Sequence, residues 1–413
     1  MNQQRQQAYF NLIQNLLNCP SDQEPEILAA NQELVDVGFL QTVEATGEMF
    51  LQQGDENTTN WLQGLASYLR EVLNLNTTVD LQSLSEEHRQ AYVQFLMEIM
   101  QATKSSWGDS KVVYPLLAKN TDKLDGVLGE ILRQWAKNTL TEAEAVAAQS
   151  IAGDIVNFSN LIAQFPLGNK ARNKEIAITG YEVALTLYTS EAFPQDWAML
   201  QNNLGLAYSN RIRGERAENL EQAIAYHQEA LKVRTFDAFP EDWATTQNNL
   251  AVAYSNRIRG ERAENLEQAI AYLQEALKVY TFDTFPEDWA MMQNNLGLIY
   301  RERIRGERAE DLEQAIACFQ KALKVYTFDA FPQDWAMMQN NLAVAYLERI
   351  RGEWAENLEQ AIAYLQKVLK VKTFGAFPQD WAMLQNNLAL AYSKRIRGER
   401  AENLEQAIAY FQE

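Results

Sequence analysis

The chain has 413 residues, 47% of them hydrophobic, with 36 basic against 55 acidic side chains and a formal net charge of −19. That length exceeds one ordinary core and the apolar fraction excludes a disordered chain, so two or more folded domains are expected. The negative field repels nucleic acid and anionic lipid, so no nucleic-acid partner and no membrane partner is expected. Two cysteines, Cys19 and Cys318, and two histidines, His88 and His227, supply neither a disulfide framework nor a zinc ligand set. No metal, cofactor or catalytic residue is expected, and the chain reads as a non-enzyme. The N-terminus lacks a signal-peptide core and no run approaches a membrane-spanning length, so the expected location is cytoplasmic.

Residues 1–147 read as an N-terminal helical domain, with helices over 2–17, 25–53 (broken near Gly38), 57–75, 84–104, 110–119 and 121–138. Ser83 to Glu86 and Thr141 to Glu144 both have capping-box form, a hydroxyl residue followed three later by glutamate. Asn74 to Asp80 and Lys104 to Asp109 are the expected loops.

Residues 148–413 are repetitive. Tryptophan recurs at Trp197, Trp243, Trp289, Trp335 and Trp381, and glycine keeps the same 46-residue beat at Gly168, Gly214, Gly260, Gly306, Gly352 and Gly398. The stretch from Arg257 to Tyr272 reappears verbatim from Arg395 to Tyr410, which only duplication explains. Each unit reads as two helices. The first opens at Phe193-Pro194-Gln195-Asp196, with proline where the first turn needs no donor and an acid at the positive dipole end. Its apolar stripe is Trp197, Leu200, Leu204, Ala207 and Tyr208. Gly214 fits a helix stop, and the second helix carries Leu220, Ala223, Ile224, His227, Ala230 and Leu231 on one face. A divergent first repeat covers about 148–190, five clearer repeats follow, and the last stops at Glu413 inside its second helix. Such hairpins bury their apolar faces only by stacking in series. Trp289→Ala is expected to cost about 3–5 kcal/mol if that ring fills an inter-repeat core site.

The stretch Asn203-Leu204-Gly205-Leu206-Ala207-Tyr208, with Ala223, the large residue at His227 (Leu273, Phe319, Leu365 and Phe411 elsewhere) and Ala230, resembles the tetratricopeptide repeat. The resemblance implies an all-α fold: an N-terminal helical domain followed by a right-handed α-solenoid of antiparallel helix pairs. The unit is longer than that family's, which has about 34 residues, and Gln201 stands where the family's tryptophan is usual. The wording Phe239-Pro240-Glu241-Asp242-Trp243-Ala244, with Gln247 to Leu250 and Arg257 to Ile270, is similar to cyanobacterial repeat proteins in which such arrays often precede a caspase-like peptidase domain of the CHAT type. The implied function is a protein–protein interaction scaffold, with a partner peptide or protein segment on the concave face. The alternative is the sensor arm of a CHAT protease whose catalytic part is absent, the chain then being a fragment of a longer parent. End-to-end self-association through the open last hairpin is a further expectation.

The concave face of that family is lined by first helices, which places the asparagine pairs Asn202-Asn203, Asn248-Asn249, Asn294-Asn295, Asn340-Asn341 and Asn386-Asn387 as the candidate peptide-binding residues. The second of each pair, with Asn157 upstream, resembles an asparagine ladder in which carboxamides hold a peptide backbone through paired donors and acceptors. The other reading is that these side chains cap or bridge neighbouring helices. Met199, Thr245, Met291, Met337 and Met383 occupy an earlier groove position. The turn arginines Arg211, Arg213 and Arg216 are expected to pair with acids of the same segment, Glu215, Glu218 and Glu221, rather than to form an anion ridge. His227 reads as a packing residue. No peptidase wording surrounds His88 and Cys19.

Overall fold

The computed structural model describes residues 3–18, 27–28, 31, 34–53, 58–59, 61–62, 64–66, 69, 81 and 84–412. Cys19, Ser83, the expected loop at Asn74–Asp80 and most of the expected helix 57–75 lie outside the described residues. Among the described residues all regular structure is helical. The chain falls into two compact units, residues 1–183 with 211–215, and residues 184–210 with 216–413.

In the first unit, α1 (Gln3–Asn18) and α2 (Val37–Gln53) bury Tyr9, Leu12, Ile13, Phe39 and Val43 in one cluster. Asp36 fixes the start of α2, accepting from the Phe39 N–H at 2.9 Å and from the Tyr9 hydroxyl at 2.7 Å. The chain continues through α3 (Glu86–Ser106), α4 (Ser110–Lys119), a 3-10 turn at Thr121–Lys123, α5 (Gly126–Glu142), α6 (Ala145–Gln164) and α7 (Lys170–Ala184). The cap of α3 is Ser85, whose hydroxyl accepts from the His88 N–H. Helix α5 starts at Gly126 because Asp125 caps it through the N–H groups of Val127 and Leu128. The expected cap at Thr141 is corrected: that hydroxyl donates back to the Lys137 carbonyl inside α5, and Glu144 precedes α6.

The second unit is five helix pairs: α8 (Pro194–Ser209) with α9 (Arg216–Ala230), α10 (Pro240–Asn256) with α11 (Arg262–Ala276), α12 (Pro286–Glu302) with α13 (Arg308–Ala322), α14 (Pro332–Glu348) with α15 (Trp354–Val368), and α16 (Pro378–Lys394) with α17 (Arg400–Gln412). Every first helix opens on its proline, whose missing N–H costs nothing in the first turn. The turn glycine takes a left-handed φ, +78° at Gly260 and +82° at Gly352, which a side chain would strain. An asparagine then locks the turn: the Asn265 amide donates to the Arg259 carbonyl at 2.9 Å and that of Asn357 to the Arg351 carbonyl at 3.0 Å. The same lock stands in the first unit, where Asn173 donates to the Leu167 carbonyl beside Gly168.

Helix pairs stack through shared clusters in which α11 residues Leu266, Ala269 and Leu273 meet Met292 and Leu296 of the next first helix. The helices are held in series by this nearest-neighbour burial, the architecture of an α-solenoid. The tryptophans are half-buried at the edge of these clusters, correcting the expectation of a filled core site. Trp289 packs edge-on against Phe282 of the linker, ring centroids 5.1 Å apart. In α17, Leu404, Ile408 and Phe411 are exposed where their counterparts Leu312, Ile316 and Phe319 are buried by the following first helix.

Candidate peptide-binding face

The first helices of the second unit share one outward stripe. Met291, Met337 and Met383 are exposed on it, with Met199 and Thr245 half-buried at the same register. Two turns on, Leu206, Val252 and Leu390 are exposed. The asparagine pairs lie between these two apolar rows.

Adjacent repeats are linked along this stripe by carboxamides. The amide nitrogen of the second asparagine in one repeat donates to the first asparagine's oxygen in the preceding repeat. The distances are 3.1 Å for Asn249 to Asn202, 2.9 Å for Asn295 to Asn248, 2.9 Å for Asn341 to Asn294 and 3.4 Å for Asn387 to Asn340. The bridge between neighbouring helices, one of the two sequence readings, is therefore present. Asn202, Asn248, Asn294 and Asn341 are buried, Asn203, Asn249, Asn295, Asn340 and Asn387 half-buried, and Asn386 exposed. A carboxamide offers two donors and an acceptor with two lone pairs, so each half-buried second asparagine that bridges through one N–H keeps hydrogen-bonding capacity for a ligand. Asn157 lies in the first unit, half-buried beside Gly108.

Beneath the stripe, Gln201, Gln247, Gln293 and Gln339 are buried at the register where the tetratricopeptide family's tryptophan is usual, and their side-chain oxygens meet no protein donor.

The turn arginines are ion-paired, but across repeats. Arg257 makes a two-pronged contact with Glu221 at 2.8 and 2.7 Å, and Arg303 with Glu267, Arg349 with Glu313 and Arg395 with Glu359 repeat it. Arg259 and Arg351 reach Glu218 and Glu310 at 2.8 Å. The acids of these clasps thus belong to the second helix of the preceding repeat; Arg303 alone of the four clasping arginines adds an acid of its own repeat, Asp311 at 3.1 Å. In the first unit Arg211 clasps Glu175 in the same way. The Arg257 guanidinium holds the Glu221 carboxyl below its usual range.

His227 is fully buried and burial pushes its pKa down to about 3, so it packs as a neutral ring. Cys318 is a buried free thiol, raised to about 11 by burial and thus unreactive at neutral pH. No group of three or more potential metal ligands occurs among the described residues, and none of their helices is long and apolar enough to cross a membrane.

One register escapes inspection of a single repeat. Tyr188, Arg234, Tyr280, Tyr326 and Lys372 occupy equivalent positions after each second helix. The Tyr280 hydroxyl donates to the Glu241 carbonyl at 3.0 Å and that of Tyr326 to the Glu287 carbonyl at 3.1 Å. Lys372 instead pairs with Asp380 at 2.7 Å and lies over the Phe377 ring. A cavity of about 250 Å³ opens beside it. Aligning the five copies of this position in sequence would have exposed Arg234 and Lys372 as the two that are not tyrosine.

Residues 197–237, 243–279 and 289–327 match the tetratricopeptide repeat family model, and residues 336–367 and 382–413 match that of the Sel1 repeat. The chain carries a tetratricopeptide-like repeat array. Folds of this kind are protein-interaction scaffolds, and the two repeat families are typically non-catalytic. No curated protein matches the chain. The crystal structure of a protective antigen present in uropathogenic Escherichia coli strains, displaying an SLR fold, aligns with 99% of this chain and 90% of its own at 14% identity and a TM-score of 0.33.

Proposed function

We propose that the first-helix face of the repeat array holds an extended segment of a partner protein. The observation that carries this reading is the exposure of two apolar rows, Met291, Met337 and Met383 on one side and Leu206, Val252 and Leu390 on the other, flanking a line of half-buried carboxamides. Apolar side chains of the segment bury against the rows. Its backbone meets the hydrogen-bonding capacity left on Asn249, Asn295 and Asn387. At about 0.5–1.5 kcal/mol per hydrogen bond these contacts orient the chain rather than hold it. The apolar rows supply the surplus over the cost of association. The turn arginines, clasped by glutamates, are spent on holding repeats together and offer no ridge to a nucleic acid. The reading fits a cytoplasmic scaffold, where the Cys318 thiol stays reduced. End-to-end association of two copies would cover Leu404, Ile408 and Phe411.

The test is selection of peptides from a random display library on the immobilised protein. Peptides that bind the wild type and lose binding to Val252→Glu and Met337→Glu variants of unchanged helicity support the face. Peptides that bind those variants equally place the contact elsewhere and overturn the reading.

A further inference from the structure

The cavity beside Lys372 has counterparts at the two preceding repeat junctions, and there the protein fills them itself. Tyr326 packs against Ala290 and Met338, and Tyr280 against Ala244 and Met292. One repeat on, the residues equivalent to those partners, Ala336 and Leu384, line the open cavity together with Met337, Asn340 and Met383. Gln333, the counterpart of the Glu287 that accepts the Tyr326 hydroxyl through its carbonyl, lies at the wall. Lys372 does not replace the missing ring, because Asp380 draws its ammonium over Phe377. What remains has the register, apolar walls and acceptor of a phenol site without the phenol.

We propose that this cavity is a side-chain pocket for a tyrosine presented by the partner segment. The inference deepens the reading of the first-helix face, and commits it to an unmodified aromatic anchor at the junction of α14 and α16. Charge favours the neutral phenol. Asp334 and Asp380 both line the cavity and only Lys372 opposes them, so the site is net negative. At the filled junction burial, with Asp334 nearby, pushes the Tyr326 phenol up to about 12, keeping its proton as a donor. A phosphorylated tyrosine would bring about −1.5 to −2 charges against the same carboxylates and is rejected.

The experiment is titration of the full chain with p-cresol, followed by the ¹³C-methyl resonances of Met337 and Met383. The expected result is a saturable shift of both methyls. Lys372→Tyr, which restores the sister-repeat residue, abolishes it, and Lys372→Ala retains it. p-Tolyl phosphate gives no shift. Absence of a shift with p-cresol, persistence of the shift in Lys372→Tyr, or stronger binding of the phosphate would each overturn the proposal. Because the fragment makes no backbone contacts, this outcome is independent of whether peptides selected on the face lose binding to the charge variants.

Discussion

A β-carbon added to Gly297 would stand 2.5 Å from Cε1 of Phe319, so the aromatic ring of the second helix occupies the space that glycine leaves on the first. Gly205 stands in the same relation to His227, again at 2.5 Å. Where the large residue is leucine, the small one is alanine: Ala251 shares a cluster with Leu273 and Ala343 with Leu365. Small and large residues thus trade volume inside these four hairpins, while in the last one Phe411, opposite Ala389, is exposed. Gly297→Ala is expected to destabilise by about 1–3 kcal/mol through overpacking, less the helix propensity it gains. Adding Phe319→Leu recovers most of the loss. Urea unfolding of the two single variants and the double one gives the coupling directly; simple additivity would refute the volume trade.

His227 titrates at about 3 in the folded protein, because burial opposes its charge. Its unfolded value is about 6.5, so between these limits the unfolded chain binds the extra proton. Stability therefore falls on acidification below about 6.5, by at most about 1.4 kcal/mol per pH unit from this residue. His227→Phe, which copies the Gly297–Phe319 pairing, removes that slope. Melting curves between pH 7 and 4 should diverge most at the acidic end, with the variant higher.

The clasp between Arg257 and Glu221 joins two repeats with both side chains under a third exposed. Glu221→Gln is expected to lose about 1 kcal/mol at pH 7, near the upper end of surface ion pairs because the contact is two-pronged. The Glu221 pKa is depressed, so wild-type Glu221 keeps this contribution above its unfolded pKa and loses it as pH falls through the folded value. The gap between variant and wild type should close in acid and narrow in high salt. A gap that is constant with pH would show that the charge contributes nothing.

Asn249, Asn295 and Asn341 each bridge to the preceding first helix, so their joint replacement by alanine should lower the melting temperature. About 0.5–1.5 kcal/mol per lost bridge is expected, with partner binding lost in addition. From sequence alone the same triple variant would be expected to melt nearly unchanged if the asparagines served only a ligand. Calorimetry in the absence of any partner separates the two.

Trp289→Ala should cost about 2 kcal/mol, below the range for a fully buried ring, since the indole is half-buried and leans on Phe282. Phe282→Ala should lose much of the same interaction. A loss well above 4 kcal/mol in chemical denaturation would mean the indole supports more than its own edge contact.

Local signals were legible where they are local. Proline at the first helical position and the 3–4 spacing of Leu200, Leu204 and Ala207 placed each first helix, whereas Gly214, read as the helix stop, lies in the turn after the helix has already ended at Ser209. The destinations of polar side chains were not legible, because their partners belong to another copy. Arg257 meets Glu221 rather than an acid of its own turn, and Asn295 meets Asn248 across a repeat. The half-burial of the tryptophans was hidden for a similar reason: the indole's neighbour, Phe282 for Trp289, comes from the linker and not from the helix stripe. Thr141 misled because the same hydroxyl that caps a helix start also bonds back inside a helix end.

The spans of these cross-repeat bonds carry a consequence for how such a gene changes length. Arginine and glutamate of a clasp are always 36 residues apart, and bridging asparagines 47. Excise any one whole repeat in frame and Glu221 meets the next arginine along while Asn202 meets the next asparagine, each at the separation it had before. Recombination between the near-identical copies therefore yields shorter or longer arrays with every clasp and bridge re-formed. Arg234 and Lys372, standing where the sister repeats carry tyrosine, still mark individual positions in the series.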